Sequence, residues 1–228
     1  MGRLIAFGCS VTYGHGNTDC FTPPYGPGPA PSKIAWPALI ANALNLDCIN
    51  LADPGSSNKR IWYKIMNFEF EKDDVVFIMW SYPERTCLLD SNRHTDIGRW
   101  TEGSELYFDH FYTTFDSEMM SKLYVNHANL YLQNKKIATT NLVVEKKFSS
   151  IFTLSKEKTP HVKVYINDYR KKFNLGLDKK HPNDDCHREV ARLIMNELHI
   201  EHNVPKQKKL TILQRWKNFR AKKNANRH

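Results

Sequence analysis

A serine that follows a short apolar run is the first residue of the chain placed for covalent chemistry. Residues 4–7 are apolar without polar alternation, which is typical of a strand buried on both faces. Gly8 permits a sharp turn, and Ser10 then lies at the carboxyl end of the strand, where open α/β sheets bind ligands. A helix that began there would point its free N–H groups at whatever Ser10 attacks. This stretch predicts a nucleophilic serine, although many α/β folds have small residues at this turn without a catalytic role.

A histidine and an aspartate with complementary chemistry occur near the other end of the chain. Asp178 and His181 are three residues apart, just before a predicted helix. His181 can take the proton of the Ser10 hydroxyl as a general base, and Asp178 can hold the imidazole in the required tautomer. Gly55, in a turn after the second predicted strand, either turns the chain or presents its backbone N–H, with that of Ser10, to an oxyanion.

The segments that must position these residues alternate between strand and helix patterns, which predicts a parallel α/β sheet. The predicted strands span residues 4–7, 47–51, 74–80, 136–140 and 162–166. The predicted helices span residues 36–46, 59–68, 117–134 and 184–198. Because the carboxyl ends of parallel strands meet at one edge, this topology brings Ser10, Gly55 and the Asp178–His181 pair together.

Three segments do not fit this alternation. Residues 15–35 contain five prolines, which exclude a helix or a central strand. This loop leaves the Ser10 turn, so it forms either a wall of the site or a surface insertion. Residues 86–116 are polar and aromatic without a clean period, and we predict a lid or an irregular insertion there; residues 141–160 are ambiguous.

The positive charge of the chain is concentrated in its last residues. The net charge is +9, and nine Lys and Arg but no Asp or Glu lie between Lys206 and His228. Subtracting those nine from 33 leaves 24 basic residues against 24 acidic ones in the rest of the chain. We therefore predict one domain over residues 1–203 and a basic amphipathic tail over residues 204–228. The tail is either a solvated or packed terminal helix, or it binds a partner groove, an anionic membrane surface or nucleic acid.

Composition sets the expected compartment. The five cysteines are scattered without a Cys-x-x-Cys pair, so the sequence predicts reduced thiols rather than a zinc site or a disulfide framework. No stretch approaches the roughly 18 apolar residues of a membrane span, and no signal peptide is visible. We expect a cytoplasmic protein.

The motifs together resemble those of the SGNH (GDSL-type) hydrolase family over roughly residues 3–200, with the middle third unmatched. The matching blocks are Phe7-Gly-Cys-Ser-Val-Thr-Tyr-Gly14, Asn50 to Asn58, and Leu177 to Asn183. The resemblance implies a flavodoxin-like three-layer α/β/α fold with a parallel five-stranded sheet of order 2-1-3-4-5. It also implies Ser10 as nucleophile, His181 as base, Asp178 as its orienting group and Gly55 as an oxyanion donor. Family members mostly cleave carboxylic esters, often acetyl groups on sugars, without a metal or cofactor.

Two positions depart from the family pattern. Cys9 stands where the family usually has Asp, and it is an alternative nucleophile, although its side chain is expected to point away from the direction of Ser10. Trp80-Ser81-Tyr82 stand where the family has Gly-x-Asn, whose Asn side chain is an oxyanion donor. The Ser81 hydroxyl or Asn58 could replace this donor, and the loss of one such donor costs about 100- to 1000-fold in rate.

The sequence therefore predicts a serine esterase or deacetylase that acts on a small acylated substrate, with a carbohydrate as the expected carrier. An O-acyltransferase would use the same site with a sugar hydroxyl in place of water. A catalytically weak binding or structural protein on the same scaffold is the third reading, because a fold does not fix a function.

Overall fold

A parallel sheet of four strands forms the centre of the molecule. The computed structural model describes residues 2–90, 94–154, 157–159, 161–170 and 172–199, so the predicted tail over residues 204–228 lies outside the described residues. The strands are β1 (Arg3–Phe7), β2 (Asp47–Asn50), β3 (Val75–Trp80) and β4 (Ala138–Val143). They pair in the order β2-β1-β3-β4, and every pairing is parallel. Residues 4–7 of β1 are fully buried, as their continuous apolar run predicts.

Helices cover both sides of the sheet. They are α1 (Ser10–Tyr13), α2 (Trp36–Ala43), α3 (Asn58–Met66), α4 (Glu105–His110), α5 (Thr114–Asn134), α6 (Ile166–Arg170) and α7 (Asp184–Glu197). Helix α2 packs on α7, and α3 packs on α5. In the described part of the chain, no helix has the length and apolarity needed to cross a membrane.

The predicted α/β/α fold class is confirmed, but the predicted fifth strand is wrong. The segment runs beside β4, since Val162 N–H donates to the Asn141 carbonyl at 2.8 Å and Asn167 N–H donates to the Val144 carbonyl at 3.1 Å. Residues 161–165 nevertheless form no strand, and α6 begins at Ile166. The apolar side chains that suggested a strand are buried, but they belong to a segment without strand structure that leads directly into α6.

The segment over residues 86–116 is more regular than predicted. Strands Thr86–Leu89 and His94–Ile97 form an antiparallel ribbon, and α4 follows. Helix α5 begins three residues before the predicted residue 117, because the Thr113 hydroxyl caps the N–H of Asp116 at 3.1 Å. Two further short ribbons pair Phe21–Thr22 with Gly26–Pro27, and Thr153–Leu154 with Glu157–Lys158. A 3₁₀ helix spans Lys146–Phe152.

A fully buried histidine joins α7 to the start of α2. The N–H of Trp36, the first residue of α2, donates to Nδ1 of His187 at 3.2 Å. The imidazole thus satisfies one of the free N–H groups of the helix start, and it must be neutral to accept this bond. Burial lowers the pKa of His187 to about 4, well below its ordinary value.

We predict that this histidine makes the fold sensitive to mild acid. The unfolded chain binds a proton at His187 below about pH 6.5 while the folded chain does not, so the free energy of unfolding falls as pH drops from there to about 4. The loss is about 1.4 kcal/mol per pH unit and about 3 kcal/mol in total. Urea unfolding at several pH values, with His187→Gln as the variant that accepts the same bond without titrating, measures it. Equal pH dependence in both proteins over this interval would contradict the prediction.

Candidate active site

The turn after β1 presents Ser10 at the carboxyl edge of the sheet. Ser10 is the first residue of the one-turn helix α1, so its backbone N–H has no acceptor within the helix. Its neighbour Cys9 is completely buried in the hydrophobic core, and it does not line the cleft described below. The geometry therefore gives the serine, rather than the cysteine, access to a ligand.

The structure brings Ser10, His181 and Asp178 into one hydrogen-bonded chain. Nε2 of His181 lies 2.9 Å from Oγ of Ser10, and Nδ1 of His181 bonds to Oδ2 of Asp178. The other carboxylate oxygen of Asp178 accepts the backbone N–H of Lys180 at 3.1 Å and that of His181 at 3.0 Å. A hydroxyl, an imidazole and a buried carboxylate in this order can transfer the hydroxyl proton to the imidazole and stabilise the resulting charge.

Burial and hydrogen bonding set the protonation states of the pair. Burial of Asp178 by itself raises the pKa of the carboxyl group, but bonds from the His181 imidazole and from two backbone N–H groups outweigh it and hold the pKa below its ordinary value. Burial lowers the pKa of His181, and the neighbouring His15 and Arg85 act in the same direction against the attraction of Asp178. Asp178 is thus ionised and His181 neutral near pH 7, as a general base requires.

A second histidine supports the pair from the loop that follows α1. The rings of His15 and His181 stack with centroids 4.3 Å apart, and Nε2 of His15 lies 3.6 Å from Oδ2 of Asp178. The next residue, Gly16, has φ of +93°, and a Cβ there would lie 2.8 Å from Oδ1 of Asp178. The sequence offered one signal for this role, the position of the loop directly after Ser10. One potential metal-ligand atom each of His15, Asp178 and His181 lies within 4.8 Å of the other two. A metal ion bound by all three residues would compete with the hydrogen bonds that join Asp178, His181 and Ser10.

A cleft of about 490 Å³ opens above these residues. Its walls come from the turn after β1, the 15–35 loop, the turn after β2, the loop after β3, the turn after strand His94–Ile97, helix α6 and the segment before α7. The lining residues are Ser10, Val11, His15, Tyr25, Pro54, Gly55, Tyr82, Arg85, Trp100, Asn167, Arg170, Asp178, Lys180 and His181. This volume suits a small organic ligand.

Gly55 lies on the cleft wall in a conformation that favours glycine. Its φ is +86°, in the left-handed region, and a Cβ at this position would lie 3.7 Å from the Trp100 ring. Trp100 comes from the segment for which we predicted a lid or an irregular insertion. Gly55 and Trp100 are therefore neighbours in the lining of the cleft that also holds Ser10.

Ser81 and Asn58, our two candidates for the missing oxyanion donor, are engaged elsewhere. Asn58 is buried, and its side chain accepts the Ser81 N–H at 2.7 Å and donates to the Ser81 carbonyl at 3.2 Å and to Ser121 Oγ at 3.0 Å. Neither residue is among the described residues that line the cleft. The structure uses Asn58 to fix the end of β3 to α3 and α5, because an amide can satisfy both backbone groups at that strand end.

Arg85, which bonds to Ser81, lines the cleft in place of these two residues. Its guanidinium donates to Ser81 Oγ at 3.1 Å and lies 4.3 Å from the Tyr82 ring centroid and 4.5 Å from that of Trp100. We did not predict a role for this residue, because the family pattern has an asparagine after the third strand. The available signal was its position, five residues after the end of a buried strand, at the edge of the sheet that carries Ser10.

Comparisons with solved structures find the same architecture in chains of very different sequence. TesA gives a TM-score of 0.55 at 12% identity, with 86% of this chain and 97% of TesA covered. The acetyl xylan esterase Est2A from the rumen bacterium Butyrivibrio proteoclasticus gives 0.53 at 14% identity, with 87% and 64% covered. A carbohydrate esterase whose active site is described as having divergent catalytic and non-catalytic binding functions gives 0.52 at 15% identity, with 89% and 66% covered.

The chain thus spans slightly less than two thirds of the length of these two carbohydrate-active proteins. No family model matches the sequence, and no curated protein matches it. At these identities the likeness concerns the fold.

Proposed function

Since the chain has the fold of the SGNH (GDSL-type) hydrolases, we propose that it is a serine esterase that hydrolyses small carboxylic esters. The observation that carries the proposal is the hydrogen-bonded chain from Ser10 through His181 to Asp178 at the floor of the cleft. Acetyl esters of carbohydrates are the substrate class we favour. Two of the similar structures are carbohydrate esterases, and the exposed Trp100 offers the cleft an aromatic surface on which a sugar ring can stack.

The proposed reaction has two steps. Ser10 Oγ forms a bond to the carbonyl carbon of the ester while His181 Nε2 takes the hydroxyl proton. The carbon–oxygen bond to the alcohol then breaks, and His181 returns the proton to the leaving oxygen, which gives an acyl-serine and a free alcohol. In the second step His181 takes a proton from water as the water oxygen bonds to the carbonyl carbon of the acyl-serine. The bond from that carbon to Ser10 Oγ then breaks, and His181 Nε2 returns the proton to Ser10 Oγ, which releases the carboxylic acid and regenerates the free enzyme.

Three groups are proposed to stabilise the oxyanion of both steps. Two are the backbone N–H groups of Ser10 and Gly55, which stand at the cleft after β1 and β2. The third is the Arg85 guanidinium, which lies against Trp100 beside Gly55 and takes the place of the family's asparagine. A cation held in place by a hydroxyl and two aromatic rings can meet developing negative charge without reorganising.

We predict that Arg85→Ala lowers kcat for p-nitrophenyl acetate by about 100- to 1000-fold, the cost of one oxyanion donor. Because the Arg85 charge also lowers the pKa of His181, the same variant should move the acid limb of the kcat/KM profile to higher pH. Arg85→Lys, which keeps the charge without the planar fork, should restore the acid limb and part of the rate. An alanine variant with a wild-type rate and an unmoved acid limb would exclude Arg85 from this role.

The proposed esterase activity is tested by release of p-nitrophenol and acetate from p-nitrophenyl acetate, with and without a sugar acceptor. Hydrolysis gives acetate in both cases. An O-acyltransferase would instead form an acetylated sugar when the acceptor is present, because only the group that attacks the acyl-serine differs. Failure of the folded protein to cleave a series of acetyl to butyryl esters would contradict the esterase proposal. The non-catalytic alternative, a carbohydrate-binding protein on this scaffold, would then be favoured.

A further inference from the structure

The lining of the cleft is rich in positive charge. Arg85, Arg170 and Lys180 all line the cleft that holds Ser10. The lone carboxylate among its described lining residues is Asp178, whose side chain is buried and bonded to His181. Basic and acidic residues balance in the chain before Lys206, so the charge of this lining is a local asymmetry rather than a reflection of the overall composition.

These cations are not used in ion pairs. Within the described part of the chain, no carboxylate lies within ion-pairing distance of the Arg85, Arg170 or Lys180 side chains. Arg170, half-buried at the end of α6, is held by a bond from Nη1 to the carbonyl of Lys180 at 2.8 Å. Lys180 donates its backbone N–H to Asp178, and its exposed side chain lines the cleft. Arg170 and Lys180 are thus joined by a hydrogen bond next to His181 in the chain, and both line the cleft.

The position of Arg170 and Lys180 in the cleft indicates which portion of the ester they would contact. In the proposed reaction His181 Nε2 returns the proton to the leaving oxygen, so the alcohol portion of the ester must lie on the His181 side of the cleft. Lys180 immediately precedes His181, and Arg170 bonds to the Lys180 carbonyl. Arg170 and Lys180 therefore lie toward the alcohol portion rather than the acyl group.

We propose that Arg170 and Lys180 form an anion subsite that selects esters whose alcohol portion carries a carboxylate or a phosphate. Acetylated acidic sugars and sugar phosphates share this chemistry. The inference rests on the proposed esterase function, because the orientation of the substrate follows from the role of His181. A planar guanidinium next to an ammonium group can bind either anion through charge-assisted hydrogen bonds.

The test compares three acetate esters of matched shape: 4-acetoxybenzoate, 4-acetoxyphenyl phosphate and the neutral 4-acetoxybenzamide. The full-length wild type should prefer at least one anionic ester by about tenfold or more in kcat/KM at low salt, and added salt should reduce the preference. Arg170→Gln and Lys180→Gln should each reduce the ratio of anionic to neutral turnover by about tenfold. The carboxylate and phosphate arms distinguish the two classes of alcohol.

Arg188→Gln on the exposed face of α7 removes a comparable charge away from the cleft and should leave the ratio unchanged. Equal loss of anionic and neutral turnover in the subsite variants, or a wild type without preference, would overturn the subsite while leaving the esterase proposal intact. If no ester is cleaved, calorimetric binding of 4-acetoxybenzoate and 4-acetoxybenzamide to Ser10→Ala still decides it. The subsite is supported if 4-acetoxybenzoate binds more strongly than 4-acetoxybenzamide and Lys180→Gln abolishes the difference. Equal binding of the two compounds overturns it.

Discussion

Replacement of Ser10 by alanine is expected to reduce kcat for p-nitrophenyl acetate by about a million-fold. The variant removes the atom that forms the acyl-enzyme. Among the residues that the structure describes, no other hydroxyl bonds to His181 Nε2. The serine methylene remains as the alanine methyl group, so the fold should be retained. Rates should be measured on samples matched by circular dichroism and by their urea unfolding curves.

Cys9→Ala is the control for this prediction. The thiol is completely buried in the core next to Ser10, and its removal should cost stability while turnover by the folded protein persists. Loss of turnover in Cys9→Ala together with retention in Ser10→Ala would reverse the assignment of the nucleophile.

Asp178→Asn is expected to lower kcat by about 10,000-fold with little change in KM. Asparagine cannot accept the His181 Nδ1–H in the way the carboxylate does, so the imidazole loses both its tautomer and the partner of its positive charge. Because the carboxylate also raises the pKa of His181 against burial, the imidazole of the variant should titrate at lower pH than in wild type, which NMR can follow.

Asp185→Asn is the matched control for this substitution. Asp185 lies in the first turn of α7, is about half exposed and pairs with Arg188 at 2.9 Å, away from the cleft. An exposed pair of this kind contributes little to stability, so its rate and folding should match wild type. A rate for Asp178→Asn within tenfold of wild type would show that the hydrogen-bonded chain is not used in catalysis.

The sequence predicted the parts of this structure that depend on local pattern. Buried apolar runs marked β1 and β3, and the order of strands and helices along the chain led to the α/β/α fold. The convergence of Ser10 and Gly55 on one edge also followed, since parallel topology requires it. Asp178 and His181 reach the same edge although residues 161–165 before them form no strand. These inferences needed the direction of the strands and no knowledge of side-chain contacts.

The features that could not be predicted depend on contacts between distant segments. Asn58 stood at a suitable place in the chain for an oxyanion donor, but its amide is used by the end of β3 and by Ser121. Arg85 reaches the cleft because Tyr82 and Trp100 flank it, and no local pattern shows that Trp100 lies there. The wrong prediction of a fifth strand also reflects contacts between distant segments. Residues 162–166 have the apolar pattern of a buried strand because they pack against the core, but they do so without forming a strand.

Labelling with a fluorophosphonate probe tests the central claim most directly. If Ser10 is activated by His181 and Asp178, the folded wild type should gain one phosphonyl group, located by peptide mass spectrometry on Ser10. Ser10→Ala should remain unlabelled, and Asp178→Asn should react far more slowly. An unlabelled wild type that is folded and stable, or a label that persists in Ser10→Ala, would contradict the assignment of Ser10 as the nucleophile of an esterase.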